Sequence, residues 1–446
     1  MKTPICDFVQ EYARENPLRL HMPGHKGVSL LGMEHLDITE IKGADSLYEA
    51  DGIIAQSEAN ASTLFGCRTY YSTEGSSQCI RAMLYLTLLY AKQHGRKPLI
   101  AAVRNAHKTF LTAIALLDMQ VDWLYSESNS SYLSCELTPM EIDRYLSNAK
   151  DKPVAVYVTS PDYLGKIADI RGLADVCHKH NVLLVVDNAH GAYLRFLPES
   201  MHPIDLGADL CCDSAHKTLP VLTGGAYLHL SKKMDAVVGT QAKNSLMLFG
   251  STSPSYLILQ SLDAANRYLE DYPAKLKTRL PQIDEFKESL IQHGYTLYGN
   301  EPLKLTINTK PFGYSGVQLA DILRQEIIEP EYADPDYVVL MLSAETTEEE
   351  TNRLKQALFT ISPKTPIEEK SPRFLPCPKI LEIREAMLSD SETLSVEQCI
   401  GKILAVPTVG CPPAVPILIC GERIDEHAIK CFQYYGIDEC QVVKIK

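Results

Sequence analysis

Four short apolar runs in the middle of the chain each end in residues able to do chemistry. AAVRNAHKT leaves Asn105, His107 and Lys108 beyond the first run, and VYVTSPDY leaves Thr159, Ser160 and Asp162 beyond the second. VVDNAHGAY leaves Asp187, Asn188 and His190 beyond the third, and CCDSAHKTLP leaves Asp213, Ser214, His216 and Lys217 beyond the fourth. Open parallel sheets bind ligands outside the carboxyl ends of their strands, so consecutive polar strand ends mark a candidate site. Asp187 and Lys217 are its most informative pair. A carboxylate at the end of a buried strand can hold a proton on a pyridinium nitrogen, and a lysine one strand away can condense with an aldehyde. Pyridoxal 5'-phosphate (PLP) needs both, together with a phosphate cup. Ser72-Thr73-Glu74-Gly75-Ser76-Ser77, ahead of a long helix expected to begin near Gln78, offers that cup. Gly75 permits close backbone approach, and a helix N-terminus supplies N–H donors and a dipole that favours a dianion. Alone, Gly75-Ser76-Ser77 reads as an ordinary N-cap; beside Asp187 and Lys217 it reads as a phosphate site.

The elements that must position these residues follow from hydrophobic patterning. PLIAAV (98–103), VAVYVT (154–159), VLLVVD (182–187), DLCCD (209–213) and AYLHL (226–230) are apolar on both faces, as buried parallel strands are. Residues 171–180 read as a helix between two of them, giving the βα alternation of a parallel sheet. From Pro254 to about His293 the chain is helical and charged, and the domain boundary is expected there: 1–295 for an N-terminal segment, the large domain and interdomain helices, and 296–446 for a smaller α/β domain. In the latter, LKLTINT (303–309) and YVVLML (337–342) read as strands, and VQLADILRQE and EEETNRLKQAL as helices.

Composition closes off several classes. The chain has 446 residues, 45% hydrophobic and 22% charged, which excludes wholesale disorder. Its net charge of −13 argues against nucleic acid or an anionic membrane as the main partner. Thirteen cysteines, an odd number without a C-x-x-C pair, read as reduced thiols of a cytoplasmic protein. The N-terminus lacks the apolar stretch of a signal peptide, and no run is long enough to span a bilayer. His21 and His25 are four residues apart, but Pro23 and Gly24 between them spoil a helical metal face, so no metal site is expected.

The residues resemble the Orn/Lys/Arg decarboxylases of the fold-type I PLP enzymes. The likeness runs through LHMPGHKG (20–27), LDITEIKGADSL (36–47), YYSTEGSS (70–77), RNAHKT (104–109), VTSPDYLGKIADI (158–170), VVDNAHGAY (185–193), DSAHKTLPVLTGGAYLH (213–229), STSPSYLILQSLDAA (251–265) and PPAVPILICGE (412–422). It implies an aspartate aminotransferase-like large domain with a mostly parallel central sheet and a smaller C-terminal α/β domain. It further implies that Lys217 carries the cofactor, that Asp187 pairs with the pyridine nitrogen, and that His107 stacks on the ring. Gly75, Ser76, Ser77, Ser214 and His216 would bind the phosphate, and His190 would lie near the ring substituents. Ser251 and Thr252 would complete the phosphate site of the neighbouring subunit in a homodimer; read from the residues alone, STSP is an N-cap with Pro254 in the first helical turn. The chain starts almost at PGHKG and so is similar to the short form without an N-terminal wing domain. Where the family usually carries Pro-Pro-Gly-Ile-Pro and Pro-Gly-Glu, this chain has Pro412-Pro413-Ala414-Val415-Pro416 and Cys420-Gly421-Glu422.

The expected activity is PLP-dependent decarboxylation of a basic amino acid (arginine, lysine or ornithine) to its amine and carbon dioxide, with Lys217, Asp187, His107 and His216 as catalytic residues. Asp37, Glu40 or Asp45 could meet the distal cation of the substrate, or could form a solvated charged face. Two rival readings stand beside this one: an aminotransferase or carbon–sulfur lyase on the same fold, and a catalytically weakened paralogue with a binding or regulatory role.

Overall fold

The computed structural model describes residues 1–126, 131–372, 375–407 and 413–444. They gather into two compact units. The first comprises Met1–Ile100, Pro139–Ser160 and Asp169–Leu276, and the second Ala101–Thr138, Pro161–Ala168 and Lys277–Lys446.

A seven-stranded sheet dominates, built from β1 (Arg68–Ser72), β2 (Leu99–Val103), β3 (Gln120–Leu124), β4 (Ala155–Thr159), β5 (Leu183–Asp187), β6 (Leu210–Asp213) and β7 (Ala226–Leu230) in the order β1-β7-β6-β5-β4-β2-β3. β4 and β5 pair in parallel with Thr159 opposite Asp187, and β5 and β6 pair in parallel with Asp187 opposite Cys212. This register sets Asp187 at the end of β5, one residue short of Asp213 at the end of β6. The aliphatic composition of these strands matches burial on both faces: every residue of β2, β5, β6 and β7 is buried. One expectation fails. AYLHL is not a parallel strand: β7 runs antiparallel to both β6 and β1. Residues 214–225 link it to β6, and their one helix, the single turn Ala215–Thr218, is not the long crossover helix usual between parallel strands.

The helices of the first unit follow from capping and periodicity. They are α1 (Pro4–Glu15), α2 (Ile53–Phe65) and α3 (Gly75–Gln93), with α4 (Lys108–Leu117) falling to the second unit. The series continues with α5 (Pro139–Asn148), α6 (Ile170–Lys179), α7 (Ala215–Thr218), α8 (Lys232–Val238), α9 (Ala242–Met247) and α10 (Tyr256–Tyr268). In α6, Ile170, Leu173, Ala174 and Cys177 form one buried stripe, and the Asp169 carboxylate accepts the Gly172 N–H at 3.0 Å to start the helix. α10 starts later than STSP suggested. Ser255, not the Ser251–Ser253 stretch, is its N-cap, and Pro254 lies before the cap rather than in the first turn.

In the second unit, an antiparallel sheet in the order β10-β11-β9-β8 combines β8 (Thr296–Tyr298), β9 (Lys304–Asn308), β10 (Tyr332–Ala333) and β11 (Tyr337–Met341). Leu305, Ile307, Val338 and Leu340 of this sheet share a core with Leu319, Leu323, Leu354 and Leu358. Those leucines lie on helices 316–325 and 348–360, each opened by a reciprocal capping box, Ser315 with Gln318 and Thr347 with Glu350. The twelve described cysteines are free thiols. Among the described residues, no helix is long and apolar enough to cross a membrane.

Candidate active site

The candidate phosphate cup begins with α3. The helix starts at Gly75, three residues before the sequence suggested, so Gly75, Ser76 and Ser77 form its first turn. Glu74 precedes them and makes no side-chain cap. Gly75 adopts φ +71°, which a residue with a Cβ rarely tolerates, and no atom lies within 4 Å of where a Cβ would stand. Its N–H donates to the Gly224 carbonyl at 2.7 Å. The Ser214 hydroxyl donates to Ser76 Oγ at 2.7 Å, joining two segments that the sequence assigned to one task from far apart. The hydroxyls of Thr73 and Thr218, next to these segments, are buried without a hydrogen-bond partner. An uncapped helix N-terminus, open space over Gly75 and spare hydroxyls suit a phosphate dianion.

Asp187 is 2% exposed. Its Oδ2 accepts the Tyr157 hydroxyl at 3.2 Å, and its Oδ1 accepts the Ala189 N–H at 3.2 Å and the Cys212 thiol at 3.6 Å. Burial pushes its carboxyl above the ordinary range, while the Lys217 ammonium and the hydrogen bonds pull the other way. Lys217, half-buried on α7, has Nζ 3.1 Å from His190 Nε2. His216 Nδ1 lies 3.0 Å from the Gly225 carbonyl, an acceptor only, so Nδ1 carries a proton and Nε2 is left for other partners. Thus Asp187, His190, Ser214, His216, Lys217, Gly75, Ser76 and Ser77 all lie in the first unit, on one end of its sheet and the start of α3. This set fits PLP: a cup for the phosphate, a buried carboxylate for the ring nitrogen and an amine for the aldehyde.

His107 belongs to the second unit, where it is the N-cap of α4. Its Nδ1 accepts the Thr109 N–H at 3.1 Å, which assigns the proton of the neutral ring to Nε2. The next residue, Lys108, donates its N–H to the Ala414 carbonyl at 2.8 Å. Ala414 stands where the resembled motif has glycine, and its φ of 57° shows why glycine suits the place; the neighbouring Pro412 lies outside the described residues. Ala414→Gly is therefore expected to stabilise the protein by about 0.5–1 kcal/mol, read as a higher denaturation midpoint at unchanged slope.

Ser251 and Thr252 are exposed, and Ser251 Oγ accepts the Ser253 N–H at 3.1 Å. His21 and His25 do not share partners. His25 Nε2 lies 3.2 Å from Asp37 Oδ2, and His21 Nε2 lies 2.5 Å from the Tyr12 hydroxyl. The acidic segment resolves into separate jobs. Asp45, 5% exposed, accepts five backbone N–H groups: Ser46 and Asp51 on Oδ1, and Gly52, Ile54 and Ala55 on Oδ2. It ties the loop 45–51 to the start of α2. Asp45→Ala is expected to cost about 2–3 kcal/mol, because it orphans a helix N-terminus and a buried turn together; chemical denaturation measures this directly.

Sequence reasoning gave no role to Tyr157, Asn188 or Asp213. Tyr157 carried a signal, since a tyrosine inside an aliphatic, fully buried strand must find a partner for its hydroxyl. That partner is Asp187.

Comparison with known proteins bears on the family and the fold. The sequence pattern of the Orn/Lys/Arg decarboxylase major domain matches residues 3–293. An arginine decarboxylase of Bacillus subtilis is 28% identical over 461 residues, covering 96% of this chain and 92% of the relative. A second Bacillus subtilis protein, the uncharacterized YaaO, is 27% identical over 460 residues, covering 96% and 93%. Among solved structures, the Francisella novicida lysine decarboxylase LdcF superposes with a TM-score of 0.81 at 16% identity, covering 99% of this chain and 81% of that one. With more than half of its length matched by the family pattern and the same fold in a solved decarboxylase, the chain belongs to the Orn/Lys/Arg decarboxylases, PLP-dependent fold-type I enzymes that decarboxylate basic amino acids.

Proposed function

We propose that this enzyme decarboxylates L-arginine in preference to lysine or ornithine, with Lys217 as the cofactor-bearing residue and Asp187 as the partner of the ring nitrogen. The carrying observation is the buried Asp187 carboxylate on the same sheet end as the Lys217–His190 pair at 3.1 Å. The preference for arginine rests on the arginine decarboxylases among the chain's full-length relatives.

When bound, PLP supplies an aldehyde that condenses with amines and a ring that takes up the electron pair left by departing carbon dioxide. The residues do the rest. Ser76, Ser77, Ser214 and His216 hold the phosphate through hydroxyls, ring nitrogen and the first-turn N–H groups of α3. Asp187 keeps a proton on the pyridine nitrogen, and Tyr157 and the Ala189 N–H fix the orientation of its carboxylate. Lys217 Nζ would be the amine that holds the aldehyde, and Lys217 Nζ, or Nε2 of a doubly protonated His216, would supply the proton at Cα.

The aminotransferase alternative calls for an arginine in the second unit to clamp the substrate carboxylate. Among the described arginines of that unit, Arg104 bonds the Pro416 and Ile417 carbonyls, Arg279 Thr347 and Thr351, Arg324 Asp321 and Glu329, Arg353 Glu326 and Ile327, and Arg384 Ala115 and Leu116, while Arg423 is exposed. The match to the decarboxylase family over residues 3–293 favours decarboxylation. Incubating PLP-loaded protein with arginine, lysine and ornithine should release carbon dioxide fastest from arginine, with amine formed in equal amount. Keto acid without carbon dioxide would favour transamination, and no product from any of the three would favour the weakened-paralogue reading.

The active form is proposed to be a homodimer in which Ser251 and Thr252 reach the neighbouring subunit's phosphate. Support comes from their exposure and from an apolar stretch of the same unit, where Leu18, Leu20, Leu30 and Leu31 are each at least 80% exposed. Mixed dimers of a Lys217→Ala chain and a Ser251→Ala/Thr252→Ala chain carry one site with both lesions and one with neither. Activity should therefore return on mixing; verified heterodimers without activity would rule out the shared site.

A further inference from the structure

Behind the candidate site lies a group of polar side chains that the mechanism above does not use. Asp213, His202, His229 and Asn188 are each 0% exposed. Asp213 Oδ2 lies 3.1 Å from His202 Nε2 and 3.1 Å from His229 Nε2, and Oδ1 accepts the Asn188 amide at 2.7 Å. An ionised carboxylate only accepts, so His229 Nε2 donates to Asp213, and the Thr69 hydroxyl lies 3.0 Å from Nδ1. Burial raises the Asp213 carboxyl and lowers the His229 imidazole, yet facing both histidines holds the carboxyl well below the ordinary range. Asp213 is thus a fixed buried anion with every neighbour pointing a donor at it.

His202, Cys211 and Asp213 also bring three metal-ligand atom types within 4.8 Å of one another. Two features favour hydrogen bonding over metal binding. Burial drives the Cys211 thiol far above its usual range, which opposes the thiolate a metal requires, and both imidazoles already face Asp213 Oδ2 at hydrogen-bond distance.

The output of this group is Asn188. Its backbone N–H donates to the Cys212 carbonyl at 3.0 Å, and its carbonyl accepts the Gly191 N–H at 2.8 Å. A Cβ on Gly191 would come within 2.0 Å of Asn188 Oδ1, so the turn closes tightly over that side chain. Asp187 precedes Asn188 in this turn, and His190, the neighbour of Lys217 Nζ, follows it.

We infer that Asp213 is a positioning residue: clamped by His202 and His229, it anchors Asn188 and so sets the 187–191 turn that aims Asp187 at the cofactor's ring nitrogen and His190 at Lys217. This rests on the proposed roles of Asp187, His190 and Lys217. Rigid second contacts of this kind determine how well a binding group keeps its productive geometry.

The test uses full-length Asn188→Ala, Asp213→Asn and the double variant. Three quantities are read: PLP affinity by titration of the apoprotein, the absorbance band of bound PLP, and the apoprotein unfolding temperature. Each single variant should weaken PLP binding by about 10-fold or more and shift the band, as expected for losing a hydrogen bond to a buried charge. The double variant should lose no more than about one single variant does, because both act through one contact. Unchanged PLP affinity and spectrum in folded Asn188→Ala would overturn the inference, as would losses that multiply in the double variant. Should Asp213→Asn fail to fold, Asn188→Ala alone decides. A parent protein that takes up no PLP would instead refute the underlying site assignment, so the two failures are distinguishable.

Discussion

Lys217→Ala is expected to lower decarboxylation by ~10⁴-fold or more while leaving the unfolding temperature of the apoprotein close to that of the parent. Lys217 sits half-buried on the single turn of α7, between two strands whose own residues supply the core. Truncating it removes the contact with His190 and the positive charge that offsets the burial of Asp187. Neither loss is large for stability. An exposed-side hydrogen bond is worth about 1 kcal/mol, and a carboxyl deprived of its cation can take up a proton instead of remaining charged. For catalysis the loss is of another kind, because it removes the amine proposed to perform the covalent step. Carbon dioxide release and thermal unfolding measured on the same preparation separate the two effects. A parallel collapse of both would make Lys217 a structural residue.

Asp187→Asn is expected to reduce turnover by about 10²–10⁴-fold, since a neutral amide cannot keep the ring nitrogen protonated. Its effect on the apoprotein should have the opposite sign. Burial raises the Asp187 carboxyl in the folded state, so ionised Asp187 disfavours folding. The stability associated with its protonated form is present below the unfolded carboxyl range, near pH 4, and is lost as pH rises through the higher folded value. Asn removes that loss. The variant apoprotein should be as stable as the parent or more so at neutral pH, and the advantage should vanish in acid. A variant less stable at pH 7 with near-parent turnover would show that Asp187 only closes the end of β5.

The strand ends were legible because two simple rules coincide. Runs such as LLVVD are apolar on both faces, and the residues that follow them cannot be buried without a task. Asp187, Ser214 and Lys217 stand out as candidates that way, and the hydroxyl bond from Ser214 to Ser76 brings the segments of those two serines together. What could not be read depends on contacts between distant segments. β7 runs antiparallel to β6 and also to β1, a partner more than 150 residues earlier in the chain. The Asp213 anion is defined by His202 and His229, which come from different elements and carry no shared spacing. Asp45 looked as fit to meet a substrate cation as to face solvent; five backbone N–H groups, four of them from residues 51–55 at the start of α2, decide its use. At the start of α3, Gly75-Ser76-Ser77 lacks helix-forming composition, and the bond from the Gly75 N–H to the distant Gly224 carbonyl is not legible in the local sequence.

The central claim is that Lys217 holds the cofactor at the end of this sheet. Borohydride reduction of the PLP-loaded protein, followed by peptide mapping, tests it most directly. The cofactor should be found fixed on the peptide containing Lys217, and reduction should abolish carbon dioxide release. A label on Lys108 or Lys26, or no covalent label in protein that still releases carbon dioxide, would contradict the account.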